Sequence, residues 1–181
     1  MATSHCIIGS IGRAVKDDRA AGLALALSRL HCDGAFADPT LFAQPQSDRY
    51  ARRLIWQDPE DRFVIVGMSW APGQASPLHD HDGLWGSEIV VAGTMLETAY
   101  RVRERDGAGR LRLLPERERE LACGNVGVLV PPFEYHACAN VGSTVALTVH
   151  VYGGRFAQAR TFAPAGDEWY DPSLHALGYD A

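Results

Sequence analysis

From about Tyr50 onward the chain reads as a succession of short strands broken by turn residues, and that rhythm limits the fold more than any other feature. Candidate strands are Tyr50–Trp56, Phe63–Trp70, Ser87–Ala92, Met95–Val102, Arg110–Leu114, Gly127–Val130 and Val145–Tyr152. Asp58-Pro59, Pro72-Gly73, Ala92-Gly93, Asp106-Gly107 and Cys123-Gly124 supply the turns between them. Many short strands in one chain bury their apolar faces by closing on one another, which predicts an all-β barrel. Upstream, residues 14–31 favour a helix, with Leu23, Leu27 and Leu30 forming a stripe at helical spacing. A second helix is expected over Thr40–Gln44, capped by Asp38 and Pro39. The expectation is one mainly β domain: a helical segment over 1–48, a barrel over 49–163 and a tail over 164–181.

A chain of 181 residues can bury a core that needs no staples. The net charge of −5 argues against a nucleic-acid partner. The arginines of Arg101–Arg105 and Glu116–Glu120 alternate with acids, so they read as solvated strand and loop faces. No apolar run reaches the length of a membrane span, and the N-terminus lacks a signal-peptide apolar region. Cys6, Cys32, Cys123 and Cys138 show no paired spacing and read as reduced thiols of a cytoplasmic protein. A monomer or small homo-oligomer is expected.

The chemistry lies in three histidines. His79 and His81 stand two apart, so on a strand their side chains point the same way. His136 follows Pro131-Pro-Phe-Glu-Tyr and can return to the same point. Imidazole suits Fe, Zn, Cu and Ni, so the set predicts a metal centre rather than three polar barrel residues. In Thr144–Tyr152, Val145, Leu147, Val149 and Val151 share one face, and Thr148, His150 and Tyr152 share the other. A barrel holding a metal gives that polar face a purpose: a relay in which Thr148 holds His150 and His150 holds the Tyr152 hydroxyl. A wet outer face is the plainer alternative.

The spacing resembles the double-stranded β-helix proteins of the cupin superfamily. Their first motif is matched by Gly73, His79, His81 and Gly93, with Gly86 where an acid belongs; their second is matched by Pro131, His136 and Asn140, with Phe133 in place of a glycine. The missing acid implies three neutral histidine ligands. Glu88, two residues on, is a weaker candidate ligand, and Cys138 reads as a small buried residue. Within that superfamily the chain resembles the cysteine dioxygenase, or thiol dioxygenase, family from about Tyr50 to Tyr152. The resemblance rests on His79-Asp80-His81, Trp85-Gly86, the late His136 and Thr148-x-His150-x-Tyr152. Animal members carry a cysteine at the Gly86 position, linked to the strand tyrosine, so Tyr152 is implied to be an unmodified phenol.

The resemblance implies Fe(II) on His79, His81 and His136, and oxidation of a small thiol by O2 to a sulfinate. It implies catalytic roles for Tyr152, His150 and Thr148. Tyr50-x-Arg52 matches the carboxylate clamp of members acting on cysteine, where members acting on 3-mercaptopropionate place glutamine. Arg160 is a second carboxylate candidate, and a one-residue change of register would exchange Arg52 for Arg53. The alternatives are another small mercapto acid as substrate, a different metal-dependent cupin enzyme, or a cupin that binds metal without turnover. His5, His31 and His175 read as surface or tail residues.

Overall fold

The computed structural model describes residues 2–16, 20–130 and 135–181. Pro131 and Phe133 of the second motif, and part of the helix expected over 14–31, lie outside the described residues. Two helices, α1 (Ala2–Lys16) and α2 (Ala20–Cys32), precede a one-turn 3-10 helix (Pro39–Leu41) and ten strands. The strands are β1 (Ala51–Gln57), β2 (Phe63–Trp70), β3 (Gly86–Ala92), β4 (Thr94–Arg105), β5 (Leu111–Ala122), β6 (Val126–Leu129), β7 (His136–Asn140), β8 (Ala146–Gly153), β9 (Gln158–Gly166) and β10 (Trp169–Ala176). They form two five-stranded sheets, ordered β1-β2-β8-β3-β6 and β7-β4-β5-β10-β9, with antiparallel pairing in both. This is the mainly β cupin architecture with N-terminal helices that the sequence predicts.

The first sheet is covered on both faces, which is why β2 and β8 are buried along almost their whole length. Its outer face meets the helices: Leu23, Leu27 and Leu30 of α2 pack with Ile65, Ile89, Val149 and Val151. Its inner face, with Val64, Val66, Met68, Val90 and Tyr152, meets Met95, Leu121 and Cys138 of the second sheet. Val149 and Val151 therefore face helices while His150 and Tyr152 face inward, and the wet-face alternative for β8 does not hold.

Several expectations are corrected. α1 was not expected, because Gly9 and Gly12 interrupt a weak pattern; its Ile7, Ile11 and Ala14 recur at helical spacing and are buried. The helix expected over 40–44 is the single turn Pro39–Leu41, with Asp38 Oδ1 accepting from Thr40 N–H at 2.9 Å, and Phe42 is already extended. β5 runs through the charged stretch to Ala122, because a bulge at Glu116, beside Pro115, lets the ladder with β4 continue. β7 is short and lacks a clear apolar alternation. The segment given as a tail is instead largely the β9–β10 hairpin, turning at Gly166, Asp167 and Glu168, all with positive φ. Its partners are distant in sequence: Trp169 and Tyr170 pair with Arg112 and Leu111 of β5. No described helix is long and apolar enough to cross a membrane.

Candidate metal centre and cavity

His79 and His81 do not stand on a regular strand. His79 bridges β7 and β9: it exchanges backbone hydrogen bonds with His136 (3.0 and 3.1 Å) and pairs with Thr161. Between the two histidines the buried Asp80 accepts from the backbone N–H groups of Asp82 (3.1 Å) and Arg160 (3.0 Å). The loop is thereby fixed without a ladder of its own. The three rings converge, with centroids 4.7–5.0 Å apart, and their nitrogens can share one ion.

Two of the rings have their tautomer set from behind. His79 Nδ1 lies 3.0 Å from the Pro77 carbonyl, which only accepts, so Nδ1 carries the proton and Nε2 keeps its lone pair. His136 Nδ1 lies 3.4 Å from Glu97 Oε1, and Arg119 grips Glu97 Oε2 through Nε (3.1 Å) and Nη2 (2.7 Å). Burial alone raises the Glu97 carboxyl, but His136 and Arg119 outweigh it and hold it at about 2. His81 is fully buried against Tyr152 and Phe156. Desolvation, then its neighbour His136, brings His79 to about 3, so it is a neutral donor. Three converging imidazoles, with the His79 and His136 lone pairs oriented, are a donor set that fits a divalent transition metal.

A cavity of about 60 Å³ opens beside the trio. His150 and Tyr152 stand in its wall, and Thr148 continues their line behind it. The Trp70 indole, which can only donate, bonds to Thr148 Oγ1 at 3.0 Å; Thr148 Oγ1 lies 2.8 Å from His150 Nε2, and His150 Nδ1 lies 3.1 Å from Tyr152 Oη. Burial, with His136 and Arg52 nearby, brings His150 to about 3, so the ring is neutral. With Thr148 donating to Nε2, the ring proton sits on Nδ1 and faces the phenol oxygen. The Tyr152 O–H is then left to donate elsewhere. Burial holds that phenol well above its usual range, so it keeps its proton.

Gly86 lies directly opposite Tyr152, and a Cβ there would stand 3.1 Å from the ring. No thiol occupies that position, so Tyr152 has no cysteine to link to. Glu88 does not join all three histidines at one point. It groups with His136 and Cys138, a ligand set that includes neither His79 nor His81, and its Oε2 lies 3.2 Å from His150 Nδ1. Burial raises its carboxyl, which favours a neutral acid. Cys138 is buried on the cavity wall, as expected of a small core residue.

Of the two adjacent arginines, Arg52 is buried at the cavity and Arg53 is not. Tyr50 stacks on Trp70 with centroids 4.1 Å apart and also lines the cavity. Arg160 is corrected as a clamp: it lies outside the cavity lining, half-exposed, paired with Asp80 (3.3 Å) and Asp82 (3.2 Å). Trp85 is likewise no cavity residue; it packs with the helix-side core and lies over Gly153. Sequence reasoning missed Glu97, Trp70 and His175. Glu97 left a signal, since it shares the inward face of β4 with Met95. His175, read as a tail residue, reaches the cavity from β10 and left none.

The sequence model of the cysteine dioxygenase type I family matches residues 31–165. Among solved structures, the TT1209 protein of Thermus thermophilus is 21% identical, with 65% of this chain and 95% of that one covered and a TM-score of 0.51. A Klebsiella pneumoniae protein described by its double-stranded β-helix domain is 17% identical, with 65% and 82% covered and a TM-score of 0.50. Both likenesses concern the fold.

Proposed function

The chain belongs to the cysteine dioxygenase type I family, and from that premise we propose that it is a non-haem Fe(II) thiol dioxygenase adding both atoms of O2 to a small thiol, with L-cysteine giving cysteine sulfinate. The observation that carries the proposal is a trio of converging imidazoles, His81 and His136 buried and His79 half-buried, grouped with no carboxylate as a third ligand and set beside the Tyr152 phenol. Iron on His79, His81 and His136 would supply sites where thiolate and O2 are brought together, so that proximity provides much of the rate. A thiolate RS⁻ gains both oxygen atoms and leaves as RSO2⁻, with sulfur oxidised and O2 reduced.

The protein's own groups do the rest. Glu97 and Pro77 keep the His136 and His79 lone pairs turned to the centre. The Tyr152 hydroxyl, backed by His150, Thr148 and Trp70, donates a hydrogen bond to oxygen or substrate in the cavity. Arg52 receives the substrate carboxylate, with Tyr50 beside it. Phe156, Met68 and Leu177 keep water from the reacting atoms. The partners proposed are therefore a small thiol and O2.

A second reading, 3-mercaptopropionate as substrate, has one observation in its favour. The acid among the described cavity-lining residues is Glu88, whose carboxyl burial raises, so the wall is a poor place to pair an α-ammonium. Oxygen uptake and product mass, measured on the iron-loaded protein with cysteine, 3-mercaptopropionate and cysteamine, test both readings. A sulfinate product with one of them supports the proposal. No uptake with any small thiol would leave a cupin that binds metal without turnover.

A further inference from the structure

Arg52 is held by a segment that no sequence motif announces. β1 is the edge strand of its sheet, so one side of its backbone has no strand neighbour. At Arg52 that side is covered by residues 178–180. The Arg52 N–H donates to Asp180 Oδ2 at 2.9 Å, and the Asp180 N–H donates to the Arg52 carbonyl at 2.6 Å. Arg49 ties the same carboxylate from outside, at 2.6 and 3.0 Å. The guanidinium is fixed as well: Nη1 donates to the Gly178 carbonyl at 3.1 Å, and its carbon stands 5.4 Å from the Tyr179 ring centroid and 5.7 Å from that of Phe156. Upstream, the Leu177 N–H donates to the Ala157 carbonyl at 2.9 Å, and Leu177 lines the cavity.

What remains is Nη2. It is buried and has no hydrogen-bond partner among the described residues. A buried donor of a charged group left unmade is costly, and a carboxylate is the group that best satisfies it. A guanidinium tied at one nitrogen and open at the other presents its charge in a single orientation.

We propose that Gly178, Tyr179 and Asp180 are positioning residues for the substrate: they aim Arg52 Nη2 into the cavity and so make the site selective for thiols that bear a carboxylate. Arg52 touches the substrate; the three act through it. The inference rests on the thiol site proposed above and adds the segment that sets its anion preference.

The test is equilibrium binding to the full-length Fe(II) protein without oxygen, comparing 3-mercaptopropionate with cysteamine, which lacks the carboxylate. Wild type should hold 3-mercaptopropionate more tightly. Asp180→Ala should weaken 3-mercaptopropionate by about tenfold, the effect of one charged hydrogen bond, while changing cysteamine by less than about twofold at equal iron content. Arg49→Ala, at the exposed side of the contact, should shift the same ratio in the same direction by about threefold, as a loosened surface pair does. It decides the matter if Asp180→Ala does not fold. Equal weakening of both thiols, no change in either, or a wild type that prefers cysteamine would overturn the inference. Oxygen uptake is measured separately: its absence with every thiol removes the dioxygenase reading and leaves the binding comparison standing.

Discussion

Glu97 shows how one buried side chain sets the chemistry of another. Its carboxylate survives burial because Arg119 and His136 both bond to it, and it returns the favour by fixing the His136 tautomer. Partners of this kind are worth about 10–100-fold in metal affinity. Glu97→Gln should therefore lower iron affinity within that range while leaving the fold in place, read by competition with a chelator. His136→Ala should remove iron binding and turnover together, read by metal content and oxygen uptake. Tyr152→Phe separates the two functions. It keeps the ring against His81 and removes the hydroxyl, so iron content should stay and kcat should fall by about 100-fold, the order of one transition-state hydrogen bond. Retained kcat in that variant would remove Tyr152 from the mechanism. His79, His81 and Tyr152 were legible in the sequence because their spacing is local, and His136 because its motif resembles a known one. Glu97 and Trp70 act across strands, so only the folded sheet brings them to His136 and Thr148.

The elements divide into those built by local pattern and those built by distant partners. α2 is of the first kind: its leucine stripe is visible in the sequence and lands on the outer face of the first sheet. Leu27 is fully buried there, and Leu27→Ala should cost about 2–5 kcal/mol, measured by denaturant unfolding. The His79–His81 loop is of the second kind. Its geometry depends on β7, β9 and the Asp80 carboxylate rather than on strand periodicity. Asp80→Ala should therefore lower metal affinity more than Arg160→Ala. The former frees two backbone donors, whereas the latter removes a half-exposed pair worth under about 1 kcal/mol. A larger effect of Arg160→Ala would show that the ion pair, not the buried acceptor, sets the loop. The β9–β10 hairpin escaped the sequence reading because prolines and charges mask its alternation, while its pairing with β5 supplies what propensity does not.

At the scale of the whole molecule, a closed sandwich keeps the His150 imidazole neutral in the interior, and that has a pH signature. His150 is brought from 6.5 to about 3 by burial, with His136 and Arg52 adding to it. Between those values the unfolded chain holds a proton that folded His150 does not. Stability of the metal-free protein is then full above about pH 6.5 and falls as pH drops toward 3, by about 1.4 kcal/mol per pH unit for this one proton. Denaturant unfolding at pH 7, 5 and 4 reads the slope, and His150→Gln should flatten it; an unchanged slope would show that His150 takes up its proton without unfolding.

By itself the sequence determined the parts whose physics is short-range: strand alternation, the helical leucine stripe and the Thr148-His150-Tyr152 face. Each depends on a period of two or 3.6 residues, and a period can be read along one chain. The tertiary structure decided which of two neighbouring arginines meets the cavity, that Arg160 and Trp85 do not, and that His175 and Leu177 reach it. Those outcomes turn on which distant backbone groups find each other when the two sheets meet, and no local pattern carries that information.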